Sequence, residues 1–373
     1  MIPIYEPLIT KKTLKYAHQA LDSTWISNLG EFKEKATDSL TSLLGTKNCI
    51  LVNNGTSATH LVYKALKIKK PKLKKIIVPN NVYVAAWNSM LFDNDGTKLI
   101  PVATDLDTWN VDFQYLQQEL KKHDPEDTAI LVVHNVGGIV DVPKVKNILP
   151  DFEIIEDNCE GLFGKYNNKF SGTHCLASSV SFYGNKTITC GEGGAVFFNE
   201  CDLFDQLDKL HSQGQTKTRY VHDVIGYNYR MTNIQAAILY GQLQNVECIL
   251  KKKKNIFNLY KKLLSKCENI SFQAAGQECV NANWIFSIRI HNNESYSNAQ
   301  SFFSKNGIET RNMFHPMSVH EHLKKYSNPE IEKNDLILSR EVVMFPSSPL
   351  LRNEQVKYIC DKIIEYANDR RGI

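Results

Sequence analysis

The segment Ser181-Phe-Tyr-Gly-Asn-Lys-Thr-Ile-Thr-Cys-Gly-Glu-Gly-Gly194 is the most informative part of this sequence, because it surrounds the single amine of Lys186. A short apolar run precedes Lys186, and a turn rich in glycine follows it. An amine that is stripped of water and fixed by its backbone in this way can form a Schiff base with a carbonyl compound. Because most lysines are ordinary solvated cations, the segments around Lys186 have to decide between these two interpretations.

Short apolar runs alternate with helical patterns between residues 36 and 245. Helical spacing is found over Thr56–Leu66 and Val82–Phe92. Apolar strands separated by helices indicate an α/β fold with a mainly parallel sheet, of about seven strands, covered by helices on both faces. The predicted strands are Cys49–Asn53, Lys75–Pro79, Leu99–Val102, Ala129–Val133, Glu153–Glu156, Ser178–Phe182 and Ala195–Phe198.

The pattern changes after a long helix that we predict over residues 232–265. Within it, Lys251–Lys254 is a charge run typical of a solvated helix face. We therefore predict a large domain over residues 1–245 and a smaller C-terminal α+β domain over residues 246–373, with the N-terminal segment near the small domain. One strand and two helices are predicted in this last part, at Trp284–Ile290, Ala299–Lys305 and Leu351–Tyr366.

Composition excludes several classes of protein. The chain has 373 residues, 42% of them hydrophobic, which is enough for a large core. Its net charge of +4 is too small to indicate binding to nucleic acid or to a membrane surface. With no signal peptide and no apolar run long enough to span a bilayer, we expect a cytoplasmic protein. The nine cysteines are scattered without a Cys-x-x-Cys pair, which indicates reduced thiols and no metal site.

The segment Asn53-Asn-Gly-Thr-Ser-Ala58 joins a predicted strand to a predicted helix. Glycine permits a tight turn, and the hydroxyl and free N–H groups at the start of the helix form an anion site. The alternative is an ordinary capped helix, because Thr and Ser are common at that position. A dinucleotide-binding fingerprint is absent, and Gly184–Thr187 lacks the upstream glycine of a P-loop.

Acidic and aromatic side chains follow two other predicted strands. Asp157 stands at the carboxyl end of its strand, where open α/β sheets bind ligands. A carboxylate there can keep a pyridine ring protonated, although an Asp can also cap the next loop. Glu160 follows three residues later and can meet a ring hydroxyl. Tyr83 can stack on a planar cofactor, with core packing as the alternative.

In their order and spacing, these motifs resemble the DegT-type nucleotide-sugar aminotransferases, in the fold-type I group of pyridoxal-phosphate enzymes. The resemblance covers almost the whole chain and is most specific around Lys186 and Asn228. It implies the fold-type I architecture, the cofactor pyridoxal 5'-phosphate, and a homodimer whose active sites are shared between subunits. The segments that carry it are Ser23–Phe32, Gly55–Ala58, Glu156–Glu160, Ser181–Gly194, Gly226–Ala236 and Pro346–Leu350.

The resemblance also implies a role for each of eight residues at the cofactor. These are Lys186 as the covalent attachment point and proton shuttle, Asp157 at the pyridinium, Glu160 near the ring hydroxyl, Thr56, the backbone of Ser57 and Ser181 at the phosphate, Tyr83 stacked on the ring, and Asn228 at the phosphate of a neighbouring subunit.

Within the family, the forms of Ser181–Lys186 and of the segment beginning at Trp25 are most similar to perosamine- and viosamine-forming enzymes. Such enzymes transfer the amino group of L-glutamate to C4 of a nucleotide-linked 4-keto-6-deoxyhexose. Amination at C3 is an alternative. A dehydratase is another, but relatives of that kind carry histidine at the position of Lys186. A non-catalytic binding relative would be expected to lack Lys186 or Asp157.

Further residues stand where relatives contact the substrate. Arg230 suits a donor carboxylate but can equally form a structural ion pair, and single histidines can equally be structural. These residues are Trp25, Arg230, Met313, His315 and His320. Three places depart from the family pattern. His134–Gly137 replaces His-x-Tyr-Gly, which changes what can line the sugar pocket, while Cys190 replaces a threonine and Thr24 a glycine.

Overall fold

The computed structural model describes residues 1–368, so residues 369–373 of the predicted small domain lie outside it. Three sheets hold its strands together. The strands are β1 (Asn48–Val52), β2 (Lys75–Pro79), β3 (Lys98–Val102), β4 (Thr128–Val133), β5 (Glu153–Asp157), β6 (Lys165–Tyr166), β7 (Lys169–Phe170), β8 (Ala177–Ser181), β9 (Gly194–Phe198), β10 (Ile270–Phe272), β11 (Cys279–Val280), β12 (Phe286–Ile290), β13 (Arg311–Asn312) and β14 (Val342–Phe345).

Twelve α-helices accompany these strands within the described residues. They are α1 (Lys11–Asp22), α2 (Glu31–Leu44), α3 (Gly55–Lys69), α4 (Ala85–Asn88), α5 (Phe113–Leu120), α6 (Val142–Ile148), α7 (Phe204–His211), α8 (Asn233–Leu243), α9 (Val246–Leu264), α10 (Tyr296–Lys305), α11 (Lys333–Glu341) and α12 (Asn353–Asn368). Among residues 1–368, no helix combines the length and the apolar character that crossing a membrane requires.

The central sheet has seven strands in the order β1-β9-β8-β5-β4-β2-β3. The neighbouring strands β2, β3, β4, β5 and β8 pair in parallel, whereas β9 is antiparallel to both β1 and β8. Every residue of β4, β8 and β9 is buried, as expected for strands covered on both faces. The predicted α/β fold with a mainly parallel sheet of about seven strands is confirmed.

Three apolar cores cover the two faces of this sheet. Helix α3 contributes Leu61 and Leu66 to one core, together with Trp87 of α4. Helices α2 and α8 contribute to a second core, for example through Phe32 and Leu239, and helices α5 and α6 contribute to a third. Because both faces are closed, the carboxyl ends of β2, β4, β5 and β8 form the edge of the sheet where a ligand can be bound.

A second sheet, in the order β10-β12-β14-β13, is antiparallel throughout and packs against α9, α10 and α12. The N-terminal segment reaches this region, because Ile2 pairs with Ile308 and the carbonyl of Ile4 accepts the N–H of Ser347. The division between residues 1–245 and 246–373 stays our proposal for the domain boundary. The small third sheet has the order β11-β6-β7.

The prediction of one long helix over residues 232–265 is wrong. Helix α8 ends at Leu243, and α9 begins at Val246 after Asn245 has left helical geometry with φ −126° and ψ 10°. The Nδ2 of Asn245 donates to the carbonyl of Gly241 and to Oγ1 of Thr10. These side-chain bonds stabilise the break, because polar side chains compete with the helix for backbone groups.

Two further expectations from local pattern are corrected. The helical spacing over Val82–Phe92 produces only the four-residue helix α4. The charge run Lys251–Lys254 is not a uniformly solvated face, because Lys253 is 1% exposed while the lysines on either side of it are exposed. Helical periodicity explains the second case, since Lys253 shares one face of α9 with the buried residues Ile249 and Ile256.

Candidate active site

Lys186 lies in the turn that follows β8, where its backbone N–H donates to the carbonyl of Tyr183 at 2.9 Å. Its side chain is only 13% exposed. The Nζ atom lies 3.9 Å from Oε1 of Glu160 and 4.1 Å from the centre of the Trp284 ring. The amine is therefore shielded from solvent between an acid and an aromatic face.

Glu160 follows the end of β5 and is buried. Its Oε2 accepts the N–H of Val136 at 2.7 Å. Burial raises the pKa of Glu160 to about 7, although the nearby Lys186 and the hydrogen bond from Val136 act in the opposite direction. Near neutral pH this carboxyl can therefore either donate or accept a hydrogen bond.

Asp157 is the last residue of β5 and is also buried. Its Oδ1 accepts the N–H of Cys159 at 3.0 Å. Both Asp157 and Lys186 act electrostatically on Cys159, whose thiol pKa is raised first by burial and then by Asp157, with Lys186 opposing. The predicted pyridinium partner and the predicted attachment point thus lie around one half-buried thiol at the carboxyl edge of the sheet.

Helix α3 begins beside Ser181, at the end of β8. Asn54 caps the helix by accepting the N–H of Ser57 at 2.8 Å, so the cap is neither Thr56 nor Ser57. A Cβ at Gly55 would lie 2.7 Å from the Cβ of Ser181 and 3.0 Å from its Oγ. Only glycine allows this close approach. It brings the free N–H groups at the start of α3 next to the Ser181 hydroxyl, and together these groups can bind an anion.

Tyr83 follows β2 and is 59% exposed. Its ring lies 5.8 Å from the ring of Phe314, so one neighbour is aromatic while much of the ring is open. Packing within the core, the alternative considered from the sequence, does not describe this side chain. Its stacking on a cofactor stays a prediction.

Asn228 and Arg230 lie beside the end of β1. Arg230 Nη2 donates to Oδ1 of Asn228 at 3.0 Å, and the carbonyl of Asn228 accepts from Nδ2 of Asn53 at 3.3 Å. Within residues 1–368, no hydrogen bond or ion pair joins either residue to Lys186 of the same chain. Trp25 is 56% exposed, and its carbonyl accepts from Asn233 at the start of α8. The predicted roles of these residues remain predictions.

The other predicted substrate residues differ in their surroundings. Met313 is fully buried in the apolar cluster that also contains Trp284. His315 is exposed, with Nε2 3.1 Å from Nδ2 of Asn312. His320 is half-buried, with its ring 5.6 Å from that of Trp87. Contact of these three residues with a substrate also stays a prediction.

Sequence reasoning missed two residues near Lys186. Trp284 gave no signal beyond being the first residue of the strand predicted over Trp284–Ile290, and the observed strand begins only at Phe286. Val136 has a left-handed φ of 55° inside the segment that departs from the family pattern, and its N–H holds Glu160. Strain of this kind is found at functional sites and is invisible in a sequence pattern.

Comparison with known proteins agrees with this geometry. A sequence model of the DegT/DnrJ/EryC1/StrS aminotransferase family matches residues 7–364. The chain belongs to this aminotransferase family. It is 34% identical over 379 residues to a GDP-perosamine synthase of Escherichia coli O157:H7, covering 99% of both chains. It is 31% identical over 376 residues to a GDP-perosamine synthase of Vibrio cholerae, covering 99% of this chain and 100% of the relative.

The solved structures show the same family fold. The structure of Helicobacter pylori PseC, an aminotransferase involved in the biosynthesis of pseudoaminic acid, matches with a TM-score of 0.90 at 23% identity, and 99% of each chain is covered. The predicted resemblance to DegT-type aminotransferases is confirmed.

Proposed function

We propose that this chain is a pyridoxal-phosphate-dependent aminotransferase that converts a nucleotide-linked 4-keto-6-deoxyhexose into a 4-amino-4,6-dideoxy sugar nucleotide of the perosamine type. L-Glutamate is the proposed amino donor. The observation that carries the proposal is the shielded amine of Lys186, placed between Glu160 and Trp284 at the edge where β5 ends in Asp157. The choice of sugar is supported by the two GDP-perosamine synthases that match along 99% of the chain.

The described residues fit the proposed cofactor. Gly55 lies so close to Ser181 that an added Cβ would collide with the Ser181 side chain. The N–H groups at the start of α3 and the Ser181 hydroxyl can therefore bind one phosphate together. Asp157 supplies a buried carboxylate for a ring nitrogen, and Tyr83 offers an open aromatic face. When bound, pyridoxal 5'-phosphate supplies an aldehyde that takes up an amine and a protonated ring that draws electrons from the reacting carbon.

The side chains of this chain then have separate tasks. Lys186 would hold the cofactor through Nζ and, once freed, would serve as the acid and base that moves a proton to and from the α-carbon of the donor. In the second half-reaction the same amine returns a proton at C4 of the sugar. Asp157 keeps the ring nitrogen protonated. Glu160, with a pKa of about 7, can donate a hydrogen bond to the ring hydroxyl or accept one from it.

A homodimer with shared active sites belongs to the same proposal. Large apolar side chains are exposed in two segments. One directly precedes Asn228 in the chain, and the other contains Trp25, whose carbonyl accepts a hydrogen bond from Asn233. The exposed side chains include Ile225 at 90%, Tyr220 at 78% and Trp25 at 56% exposed. Exposed apolar clusters of this kind favour a protein interface, and a second copy of this chain is the occupant that would bring Asn228 to a neighbouring phosphate.

The test combines a variant with a substrate panel. Purified wild-type protein should bind pyridoxal 5'-phosphate, absorb in the visible range, and aminate a nucleotide 4-keto-6-deoxy sugar with glutamate as donor. Lys186→Ala should lose the visible band and all turnover. Lys121→Ala, which changes an exposed lysine at the end of α5, is the matched control and should retain both.

Mass spectrometry gives the product and NMR gives the position of its new amino group. Protein that binds no pyridoxal 5'-phosphate, or a Lys186→Ala variant with full activity, would overturn the enzyme proposal. An amino group at C3 would overturn the proposed regiochemistry while leaving the cofactor chemistry intact.

A further inference from the structure

Lys253 is a buried lysine that the proposed reaction does not use. It is 1% exposed, yet it stands in a run of lysines whose other members are exposed. Its Nζ donates to the carbonyl of Trp284 at 2.8 Å and to the carbonyl of Ser347 at 3.1 Å. Burying a lysine is unfavourable unless its donors are satisfied, so these two carbonyls are the specific partners that this position provides.

Trp284 connects this buried amine to the active site. While its carbonyl accepts from Lys253, its indole N–H donates to the carbonyl of Asn185 at 3.0 Å, directly before Lys186. The face of the same ring lies 4.1 Å from Nζ of Lys186. One side chain therefore holds both the backbone and the amine of the Lys186 turn.

The indole has little freedom to adopt another position. Trp284 is 5% exposed. A Cβ on Gly137 would come within 3.3 Å of its Cβ, and the carbonyl of Gly137 accepts the N–H of Ala282 at 2.8 Å. A further constraint on its backbone comes from Lys253 of α9, whose Nζ lies 4.9 Å from the centre of the Tyr5 ring and 5.7 Å from that of Phe257.

From this arrangement we infer that Trp284 is the positioning residue of Lys186 and that Lys253 anchors Trp284. The inference rests on the proposed function, since it assigns the parts of the chain that hold the reacting amine. The ring face stabilises the positive charge on Nζ by a cation–π contact, and the indole N–H fixes the turn. An amine held in this way stays near the reacting carbons during the steps in which no covalent bond holds it.

The experiment measures the reactivity of Lys186 in apoprotein, without turnover. Reductive methylation with formaldehyde and borohydride, followed by peptide mass spectrometry, gives the labelling rate at each lysine. Trp284→Leu should increase labelling of Lys186 by roughly five-fold, because the amine loses its cover and its charged form loses the aromatic face. Trp284→Phe, which retains a ring without the N–H, should give a smaller increase.

Lys253→Met should increase labelling of Lys186 in the same direction as Trp284→Leu, but less. The double variant Lys253→Met/Trp284→Leu should match Trp284→Leu alone, because an anchor has no effect once the anchored residue is gone. Lys252→Met, one residue away on the exposed face of α9, is the matched control and should leave Lys186 unchanged.

If Lys253→Met does not fold, as judged by circular dichroism, Lys253→Gln retains N–H donors on a shorter chain and should give an intermediate rate. An unchanged rate in the folded Lys253 variant, or additive effects in the double variant, would overturn the anchor. An unchanged rate in Trp284→Leu would overturn the whole inference. Because no cofactor is needed, these outcomes are independent of whether the chain binds pyridoxal 5'-phosphate.

Discussion

The backbone N–H of Val136 donates a hydrogen bond of 2.7 Å to Oε2 of Glu160. Val136 is β-branched and has φ 55°, a conformation such residues strongly disfavour. The loop after β4 thus holds a strained residue whose N–H meets a buried carboxyl. Even so, burial dominates and raises the pKa of Glu160 to about 7.

This pKa predicts how the stability of the apoprotein depends on pH. In the unfolded chain the Glu160 carboxyl ionises near its ordinary value of 4.5, whereas in the folded chain it keeps its proton until about pH 7. Between these pH values the folded state binds more protons than the unfolded chain. The stability that the protonated Glu160 carboxyl contributes is therefore lost as pH rises from about 5 to 7.

Glu160→Gln should remove this dependence, because an amide cannot ionise and its oxygen can still accept the N–H of Val136. Relative to wild type, the variant should gain on the order of 3 kcal/mol of unfolding free energy between pH 5 and pH 8. Urea unfolding at both pH values measures the difference. Glu34→Gln, at an exposed position of α2, should show no such gain, and equal behaviour of the two variants would contradict the prediction.

A methyl group at Gly55 should damage the proposed phosphate site. The new Cβ would lie 2.7 Å from the Cβ of Ser181, and neither the strand end nor the helix start can move freely. We expect Gly55→Ala to lower stability by about 1–3 kcal/mol and to weaken pyridoxal 5'-phosphate binding at least ten-fold. Absorbance titration and thermal unfolding measure both effects.

Gly184→Ala is the control for that variant, since a Cβ at Gly184 meets nothing within 4 Å and the residue lies two positions before Lys186. It should bind the cofactor nearly as wild type does. If both variants lose stability and cofactor binding to a similar extent, this region tolerates no added methyl group, and the prediction of a specific role for Gly55 is contradicted.

The sequence identified those parts of the site that depend on where strands end. Asp157 and Lys186 come together because β5 and β8 are parallel neighbours, and apolar runs buried on both faces are easily recognised. Trp284 could not be predicted, because it reaches Lys186 from just before a strand of the second sheet. Lys253 was misjudged because the charges beside it in the chain hid its place on the apolar face of α9.

Thr24, one of the three places where we expected a departure from the family pattern, has φ 62° and is exposed. A β-branched residue in this left-handed conformation is strained, whereas glycine adopts it freely. Thr24→Gly should therefore raise the unfolding free energy by about 0.5–1 kcal/mol, the conformational gain less the greater chain entropy of glycine. Asn94→Gly, at exposed φ 48°, should gain less because asparagine tolerates this region. A loss of stability in Thr24→Gly would refute the strain argument.

Asn228 can complete the active site of its own chain or that of the partner chain, and mixed dimers distinguish the two. Asn228 bonds to Arg230 and Asn53 at the end of β1, and in the described residues no polar contact links it to Lys186 of its own chain. If Asn228 serves the partner's site, a dimer of one Lys186→Ala chain and one Asn228→Ala chain contains one site with both defects and one intact site.

We expect Asn228→Ala, like Lys186→Ala, to lose activity by itself, so mixing the two variants under conditions that exchange subunits should restore activity. Random pairing makes about half of the dimers mixed, and one of their two sites works, so about a quarter of wild-type activity should return. Each variant incubated alone is the control. If Asn228 acts within its own chain, every site in the mixed dimer keeps one defect, and activity will stay at the level of the separate variants.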